Sequence, residues 1–189
     1  MSRKRGAKNM GTRSLTVILE DDGKEICVLY RQYDGYPIGH GAELKEFLNG
    51  FSVVNGLGMD NHNKIANGMG CLAAQIISNF KAEPGGFYLY PANTRDCGEE
   101  YIYTIYLEKA GRKSPSCLLL KIQAGAVTFF GLPGTKQTNM PVIYDGPVGA
   151  FDPEQVQQEW SNREEQPVND FIDDQVLSTE IIGADWFTP

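Results

Sequence analysis

The amino-acid sequence predicts an α+β domain: an antiparallel sheet of about six strands with two helices on one face, followed by a C-terminal extension that contains a short helix. Three observations lead to this fold. Residues 14–32 alternate in polarity about a tight turn, residues 41–81 carry apolar side chains at helical spacing, and residues 87–130 return to strand patterns. Short connections between the later strands favour antiparallel pairing.

The first two strands are predicted at residues 14–20 and 25–32, where β-branched and other apolar residues alternate. Between them Asp21-Asp-Gly23 is typical of a tight hairpin turn. A hairpin of this kind places residues near position 14 opposite residues near position 31. The Gly- and Pro-rich stretch that follows ends the second strand.

Two helices are predicted next. The first covers residues 41–50, because apolar residues recur there every three or four positions, namely Leu44, Phe47, Leu48 and Phe51. Residues 52–62 are rich in glycine and asparagine and are predicted to form a loop. The second helix is predicted over residues 63–81, with Asn63 as its N-cap and Lys64 in its first turn.

Four further strands complete the predicted sheet. They are placed at residues 87–90, 101–107, 116–123 and 126–130, the last two joined by the turn Ala124-Gly125. The predicted element order is therefore β-β-α-α-β-β-β-β. After Gly131 the pattern loosens until Asp152-Pro153, which is typical of a helix start with an aspartate N-cap and proline in the first turn.

Charge divides the chain into three parts: a basic arm at residues 1–12, one α+β domain at 13–147 and an acidic C-terminal extension at 148–189. Residues 145–189 hold eleven acidic residues and one basic residue, a net charge of −10, whereas residues 1–144 carry +3. Large apolar residues alternate with acids after position 170, and we expect this segment to dock on the domain or on a partner. Translation starting at Met10 instead of Met1 is an open alternative.

Several classes of protein are excluded by composition. No apolar run approaches the length of a membrane-spanning helix, and no secretory signal follows the basic start. The four cysteines lie far apart, which favours reduced thiols in the cytoplasm. With a net charge of −7, the chain is a poor candidate for nucleic-acid binding.

The segment from Tyr30 to Gly41 carries the strongest functional signal. It runs from a strand through a glycine-rich turn into a helix start, where free amides and the helix dipole attract anions. An arginine fork, tyrosine faces for stacking and a histidine beside the helix fit a phosphorylated ligand. The predicted ligand-binding residues in this segment are Arg31, Tyr33, Asp34, Tyr36, Gly39, His40 and Gly41.

Three basic residues outside this segment are predicted outer contacts of the same site: Arg13, Lys64 and Arg95. Arg13 lies just ahead of the first strand, Lys64 is close to the second helix, and Arg95 is in the loop between two later strands. The alternative interpretation is structural. In that interpretation Asp34-Gly35 forms a turn, the glycines shape the helix entry and the tyrosines pack on the core.

The sequence contains no strong catalytic or metal-binding motif. With only two histidines, His40 and His62, a Ser-His-Asp triad has few ways to form, and no phosphate-binding glycine loop of the Walker type is present. The cluster Asp60-Asn61-His62 has no second group at ligand spacing, so the sequence predicts no metal and no cofactor.

The run Gly11-Thr-Arg-Ser14, then Tyr30-Arg-Gln-Tyr-Asp-Gly-Tyr-Pro37, then Gly39-His-Gly41 resembles small proteins of bacteria and their phages that have no assigned function. The resemblance covers roughly the first fifty residues. It implies a phage or mobile-element origin. By analogy with small phage proteins, it also implies a role in binding host factors or host signalling nucleotides.

Three functional hypotheses follow. In the first, the chain captures a phosphorylated small molecule such as a nucleotide without turning it over. In the second, it is an interaction or assembly protein whose basic arm and acidic tail form a homo-oligomer or bind a host protein. The third is a nucleotide hydrolase that uses His40 with Asp34.

Overall fold

The computed structural model describes residues 11–56, 64–108, 117–125 and 140–164. Within them the chain forms eight strands and three α-helices. In chain order these are β1 (Ser14–Leu19), β2 (Glu25–Arg31), α1 (Ala42–Leu48), β3 (Ser52–Val54), β4 (Ile65–Asn67), α2 (Gly68–Phe80), β5 (Phe87–Tyr90), β6 (Tyr101–Leu107), β7 (Leu118–Ala124), β8 (Val142–Pro147) and α3 (Pro153–Glu164). A π-helical turn, Pro37–Gly41, runs directly into α1.

Six strands form the main sheet in the order β5-β2-β1-β6-β7-β8, which confirms the predicted α+β class. The hairpin of β1 and β2 is antiparallel and aligns Ser14 with Arg31, as the sequence predicts. One pairing differs from the expected all-antiparallel sheet: β1 and β6 run parallel, aligning Ser14 with Tyr101. A parallel pair needs a crossover connection, and here the helical segment between β2 and β5 provides much of it.

The strand predicted at residues 126–130 lies outside the described residues. In the described part of the chain, the sixth position of the sheet is taken by β8, which pairs antiparallel with β7 and which the sequence did not predict. Its sequence, Val-Ile-Tyr-Asp-Gly-Pro, lacks clear alternation and contains both glycine and proline. Those residues suit an edge strand, where one side of the backbone needs no partner.

The second predicted helix is too long at its N-terminal end. Residues Ile65–Asn67 form β4, which pairs in parallel with β3 inside the stretch predicted as a loop. The helix begins only after Gly68, whose φ of +77° belongs to the left-handed region and interrupts any continuous helix. Lys64 therefore precedes a strand and does not occupy the first turn of a helix.

The third helix begins where the sequence predicts. The Asp152 carboxylate accepts hydrogen bonds from the amides of Glu154 (3.1 Å) and Gln155 (3.0 Å), and Pro153 occupies the first helical position. These contacts satisfy amides that have no partner within the helix. None of the helices in the described ranges is long and apolar enough to cross a membrane.

Alternation along the strands divides the buried residues between the two faces of the sheet. The main core lies between one face and the helices and includes Ile18, Leu29, Leu44, Leu48, Leu72, Ile76, Tyr103, Ile105, Leu120 and Ile122. A smaller cluster occupies the other face, with Leu15, Val17, Val28 and Ile102. Strand β1 is buried on both faces and so lies at the centre of the packing.

Candidate functional site

The segment between β2 and α1 folds into a corner, defined here as residues 32–38, whose last two residues begin the π-helical turn. Asp34 adopts a left-handed conformation with φ of 55°, which is uncommon for a residue other than glycine. The Gly35 amide donates to the Thr12 carbonyl (3.0 Å), and the His40 amide donates to the Asp34 carbonyl (2.9 Å). The corner is therefore tied both to the start of β1 and to the turn that follows.

Glycine at position 35 is required by a close approach between two chain segments. A Cβ atom placed there would lie 2.8 Å from the Arg13 carbonyl carbon and 2.8 Å from the Ser14 Cβ. The hydroxyl of Tyr103 on β6 donates to the Gly35 carbonyl (2.7 Å) from within the core. The sequence motif of residues 11–14 and the motif of residues 30–41 thus meet at this glycine.

Arg31 and His40 come together, as the sequence predicts, but they bind each other and not an open cavity. Arg31 Nη1 donates to His40 Nδ1 (2.9 Å), and Arg31 Nε donates to the Tyr33 carbonyl (2.5 Å). Both terminal nitrogens also reach the Glu43 carboxylate, with Nη2 to Oε1 at 3.1 Å. The side chain of Arg31 is only 11% exposed. The Phe87 ring, 5.0 Å away, packs against its guanidinium group.

The imidazole of His40 is enclosed by hydrocarbon. Its ring lies 5.2 Å from the ring of Tyr103, 5.4 Å from that of Phe80 and 5.6 Å from that of Phe87. On its remaining polar side, His40 Nε2 is 2.7 Å from the Thr16 hydroxyl on β1. Burial lowers the pKa of His40 to about 4, so the ring is neutral at pH 7.

The hydrogen-bond partners determine which nitrogen of His40 carries the proton. A guanidinium group can only donate, so Nδ1 accepts from Arg31, and Nε2 carries the hydrogen that is donated to Thr16. The sequence of hydroxyl, imidazole and carboxylate formed by Thr16, His40 and Glu43 has the order of a catalytic triad. In this tautomer, however, Nε2 has no lone pair with which to take a proton from the hydroxyl. These three groups therefore stabilise the fold, and His40 does not act as a catalytic base.

Glu43, whose side chain is 48% exposed, completes this network from the solvent side. We call the network the staple: Thr16, Arg31, His40 and Glu43. The Glu43 carboxylate lies 3.9 Å from His40 Nδ1 and pairs with Arg31. The pKa of Glu43 lies well below its usual range, at about 2, and the guanidinium of Arg31 donates to both oxygens of this carboxylate. Two carboxylate oxygens thus neutralise the arginine, leaving no net charge at the place where the sequence predicts an anion site.

Tyr33, Asp34 and Tyr36 lie on the outer side of the corner. Tyr33 is 54% exposed, and Ile38, which was not among the predicted site residues, is 50% exposed. The Tyr36 hydroxyl donates to the Asp34 carboxylate (3.2 Å). Gly39 and Gly41 lie within the π-helical turn, and Gly41 is buried against Phe151 and Tyr103.

Lys64 lies apart from the staple, at the end of α1. Its ammonium donates to three backbone carbonyls, those of Glu46 (3.1 Å), Phe47 (3.1 Å) and Asn49 (2.8 Å). A cation bound to the last carbonyls of a helix also interacts favourably with the negative end of the helix dipole. The hollow beside it, of about 460 Å³, is lined by Glu43, Glu46, Phe47, Lys64, Asn79 and Phe80. Lys64 therefore acts as a helix cap and does not face an anion site.

Arg95 and Arg13 do not join the staple either. Arg95 pairs with Glu25 on β2 (Nη2 to Oε1, 2.5 Å). Arg95 also lines a separate hollow of about 450 Å³ on the other face of the sheet. Arg13 directly precedes β1, where its carbonyl accepts the amide of Glu100 (2.9 Å). Of the ten predicted site residues, the structure brings Arg31 and His40 into direct contact and places Lys64 and Arg95 elsewhere.

Two members of the staple, Glu43 and Thr16, were not predicted from the sequence. Glu43 lies three residues after His40, a spacing that places two side chains on the same helix face, so this signal was present in the sequence. Thr16 gave no comparable signal, because its contact with His40 depends on how the turn folds back across β1. Among the described residues, no three His, Cys, Asp or Glu side chains gather in a way that could hold a metal ion.

No protein-family model, curated protein or solved structure matches this chain. The resemblance of its N-terminal motif to small phage and bacterial proteins therefore stays a prediction. What the structure adds is the physical meaning of that motif. Arg31 and His40 form the interior of the corner, while Tyr33 forms its surface.

Replacing Arg31 with lysine is expected to lower the free energy of unfolding by about 1–3 kcal/mol. Lysine lacks the planar fork that reaches His40, Glu43 and the Tyr33 carbonyl together. Urea unfolding of Arg31→Lys measures the loss, with Arg163→Lys on the exposed surface of α3 as a matched control that should change stability by less than about 0.5 kcal/mol. Equal stabilities of the two variants would contradict the bracing role.

Mild acid is expected to destabilise the fold through His40. Its pKa is about 4 in the folded chain against 6.5 for an unburied histidine, so between these values only the unfolded chain takes up the proton. Stability is then lost as the pH falls from 6.5 to 4, by about 2 kcal/mol between pH 7 and pH 5. The lowered pKa of Glu43 makes stability depend on pH only below about pH 4.5, the ordinary pKa of a glutamate.

Urea unfolding at pH 7 and pH 5 measures this acid loss. The His40→Gln variant keeps an acceptor and a donor at the same position but cannot titrate, so its stability should fall much less between the two pH values. If His40→Gln loses as much stability as the natural chain over this interval, another group is responsible.

Proposed function

We propose that this chain is a non-catalytic interaction protein that binds a protein partner through the corner of residues 32–38. One observation carries the proposal: Tyr33 and Ile38, each about half exposed, project from a corner that several hydrogen bonds hold in place. Aromatic side chains supply a large share of the binding energy in protein interfaces. Exposed apolar residues on a braced loop are typical of a recognition surface.

The rigidity of the corner supports this proposal. Arg31 holds the Tyr33 carbonyl, the His40 amide holds the Asp34 carbonyl, and Tyr103 holds the Gly35 carbonyl. A surface that is already ordered loses little conformational entropy when a partner binds. The uncommon backbone of Asp34 and the adjacent π-helical turn fit the same picture, because such features are frequent at functional sites.

Capture of an anion by Arg31 is less well supported by this geometry. A phosphate there would have to displace the Glu43 carboxylate and break the contact with His40, both of which the fold needs. The hydrolase hypothesis is weaker still, since His40 is buried and its Nε2 carries the proton in the described hydrogen-bond pattern. A surface role for the corner requires none of these changes.

We extend the proposal to a reducing setting such as the cytoplasm, including a host cytoplasm if the chain is encoded by a phage. All four cysteines are free thiols, and each is partly exposed. Free, partly exposed thiols are typical of proteins that work where glutathione and thioredoxin keep cysteine reduced. The resemblance of the N-terminal motif to phage proteins supports the same setting.

A second candidate function is favoured by one observation. Lys24 and Arg95 both line the hollow of about 450 Å³ on the other face of the sheet, together with Asn93 and Thr104. Two cations with hydroxyl and amide groups suit a phosphorylated small molecule, the ligand class that the sequence predicts. Their carboxylate partners, Asp22 and Glu25, reduce the charge available there, which is why this function ranks second.

Binding at the corner is expected to depend on Tyr33 and Ile38. A photo-crosslinking amino acid at position 33 of the full chain identifies the partner, whose affinity is then measured with purified proteins. Tyr33→Ser and Ile38→Ser should each weaken binding by at least about tenfold, as for interface hot spots. The matched control is Val142→Ser, a similarly exposed residue on β8. Full affinity in both corner variants would reject the proposal.

Capture of a nucleotide at the second hollow is expected to raise the melting temperature. A ligand at a hundred times its Kd adds about 2.7 kcal/mol to the stability of the folded state. A panel of mononucleotides and cyclic dinucleotides is the probe. The shift should vanish in Arg95→Ala and persist in Arg163→Ala. No shift with any nucleotide, or a shift that only Arg31→Lys removes, would reject this second candidate.

A further inference from the structure

Strand β5 forms an outer edge of the main sheet and is unusually apolar for that position. Among the described residues it pairs with β2 alone, and its sequence is Phe-Tyr-Leu-Tyr. Leu89 is 58% exposed and Tyr88 is 42% exposed. Edge strands are usually protected by charge, proline or a bulge, because an open edge pairs readily with another strand. None of these devices lies within β5 itself.

The opposite edge is protected. Strand β8 ends in Gly146-Pro147, has an irregular register against β7, and carries Asp145, which accepts a hydrogen bond from the Tyr106 hydroxyl. Proline offers no amide to a neighbouring strand, and a bulge twists the edge away from one. The contrast identifies β5 as the edge that is able to receive a strand.

The backbone of β5 leaves one pair of groups facing outward. The Gln32 amide donates to the Gly86 carbonyl (2.9 Å), so hydrogen-bonded pairs with β2 recur at every second residue, at Tyr88 and Tyr90. Phe87 and Leu89 therefore turn their amide and carbonyl away from β2. Both groups of Phe87 already have partners, since its carbonyl accepts from the Lys81 ammonium (2.7 Å) and its amide donates to the Gly85 carbonyl (2.7 Å). Leu89 is thus the residue at which a further strand would pair.

A hollow of about 220 Å³ lies next to this edge. Its lining is apolar apart from one cation and consists of Leu29, Ile77, Lys81, Phe87, Tyr88 and Leu89. The Lys81 ammonium stands 5.3 Å from the centre of the Tyr88 ring. A segment that suits this place has an apolar side chain for the hollow and a carboxylate for Lys81.

The C-terminal part of this chain has that chemistry. Residues 165–189 lie outside the described residues, and they contain six acidic residues and no basic one. Large apolar side chains are interleaved with these acids: Phe171, Ile172, Val176, Leu177, Ile181, Ile182, Trp186 and Phe187. Carboxylates in the segment complement Lys81, and the apolar residues complement the hollow.

The segment is also long enough to reach β5. Helix α3 ends at Glu164 and contacts β8 and the π-helical turn. Six strands span about 24 Å between the outer strands. The 25 residues after Glu164 reach about 80 Å when extended. Docking within one chain is therefore sterically allowed.

We infer that residues 171–187 of this chain add to the β5 edge of the same molecule, with an apolar side chain in the hollow and a carboxylate beside Lys81. The segment pairs through the outward amide and carbonyl of Leu89. In this arrangement the apolar edge is covered, and the acidic extension is a part of the folded domain.

Hydrogen exchange of the full chain, followed by mass spectrometry, tests this inference. Amides within residues 171–187 should exchange at least about tenfold more slowly than an unstructured peptide of the same sequence. This protection should be lost in Leu89→Asp and in Lys81→Glu, because each places a negative charge beside the acidic segment. Light scattering should show a monomer throughout.

Controls separate a docking effect from a folding defect and from the proposed function. Tyr33→Asp changes a residue of similar exposure at the corner and should leave the protection intact. Peptides from β1 and β6 should stay protected in every variant, because Leu89 and Lys81 are exposed.

Three results would overturn the inference. The first is rapid exchange of residues 171–187 in the natural chain. The second is protection that survives both Leu89→Asp and Lys81→Glu. The third is protection that appears only with a dimeric mass, which would show that a second copy covers the edge.

Discussion

A single guanidinium group holds together the part of the molecule on which the rest is arranged. Arg31 ends β2, yet its side chain binds the corner at Tyr33, the turn at His40 and the helix at Glu43. A charge this far from water is tolerated only when its donors are satisfied and its charge is matched, and Glu43 matches it. Through His40 the same group reaches Thr16, so that the hairpin, the turn and α1 share one set of hydrogen bonds. These hydrogen bonds fix the backbone of the corner, and in this way they determine where its exposed residues lie.

Local chemistry explains most of what could be predicted from the sequence. The hairpin, the aspartate cap of α3 and the helical spacing of Leu44 and Leu48 depend on residues close together in the chain, so their patterns are legible. The prediction that Arg31 lies opposite position 14 followed from hairpin geometry and is confirmed. The two-stranded sheet of β3 and β4 was missed because three-residue strands show no periodicity, and the start of α2 was misplaced because a single left-handed glycine overrides the apolar pattern around it.

For the candidate site, the residue types indicated which segment is unusual, but they did not predict what each residue does there. Arginine, histidine and glycine in one short segment indicated a place where the chain must adopt an unusual shape. Whether such a group faces a ligand or the interior depends on which distant residues cover it, here Phe80, Phe87 and Tyr103. A sequence pattern does not show which distant residues pack over a given side chain. Lys64 illustrates the same limit, since its three carbonyl partners are brought to it by a sheet that the pattern did not reveal.

The parallel pairing of β1 with β6 has a consequence for how the chain assembles. Ser14 meets Tyr101 across this pair, so two neighbouring strands of the sheet are separated by 87 positions in the chain. Closing so long a loop costs conformational entropy before any stabilising contact has formed. Folds rich in such distant contacts therefore form slowly. On the ribosome, the opening hairpin emerges well before β6 exists and must wait with its inner edge uncovered. For that interval β1, later the most deeply enclosed strand of the sheet, is the part of the nascent chain most open to wrong pairing or to a chaperone.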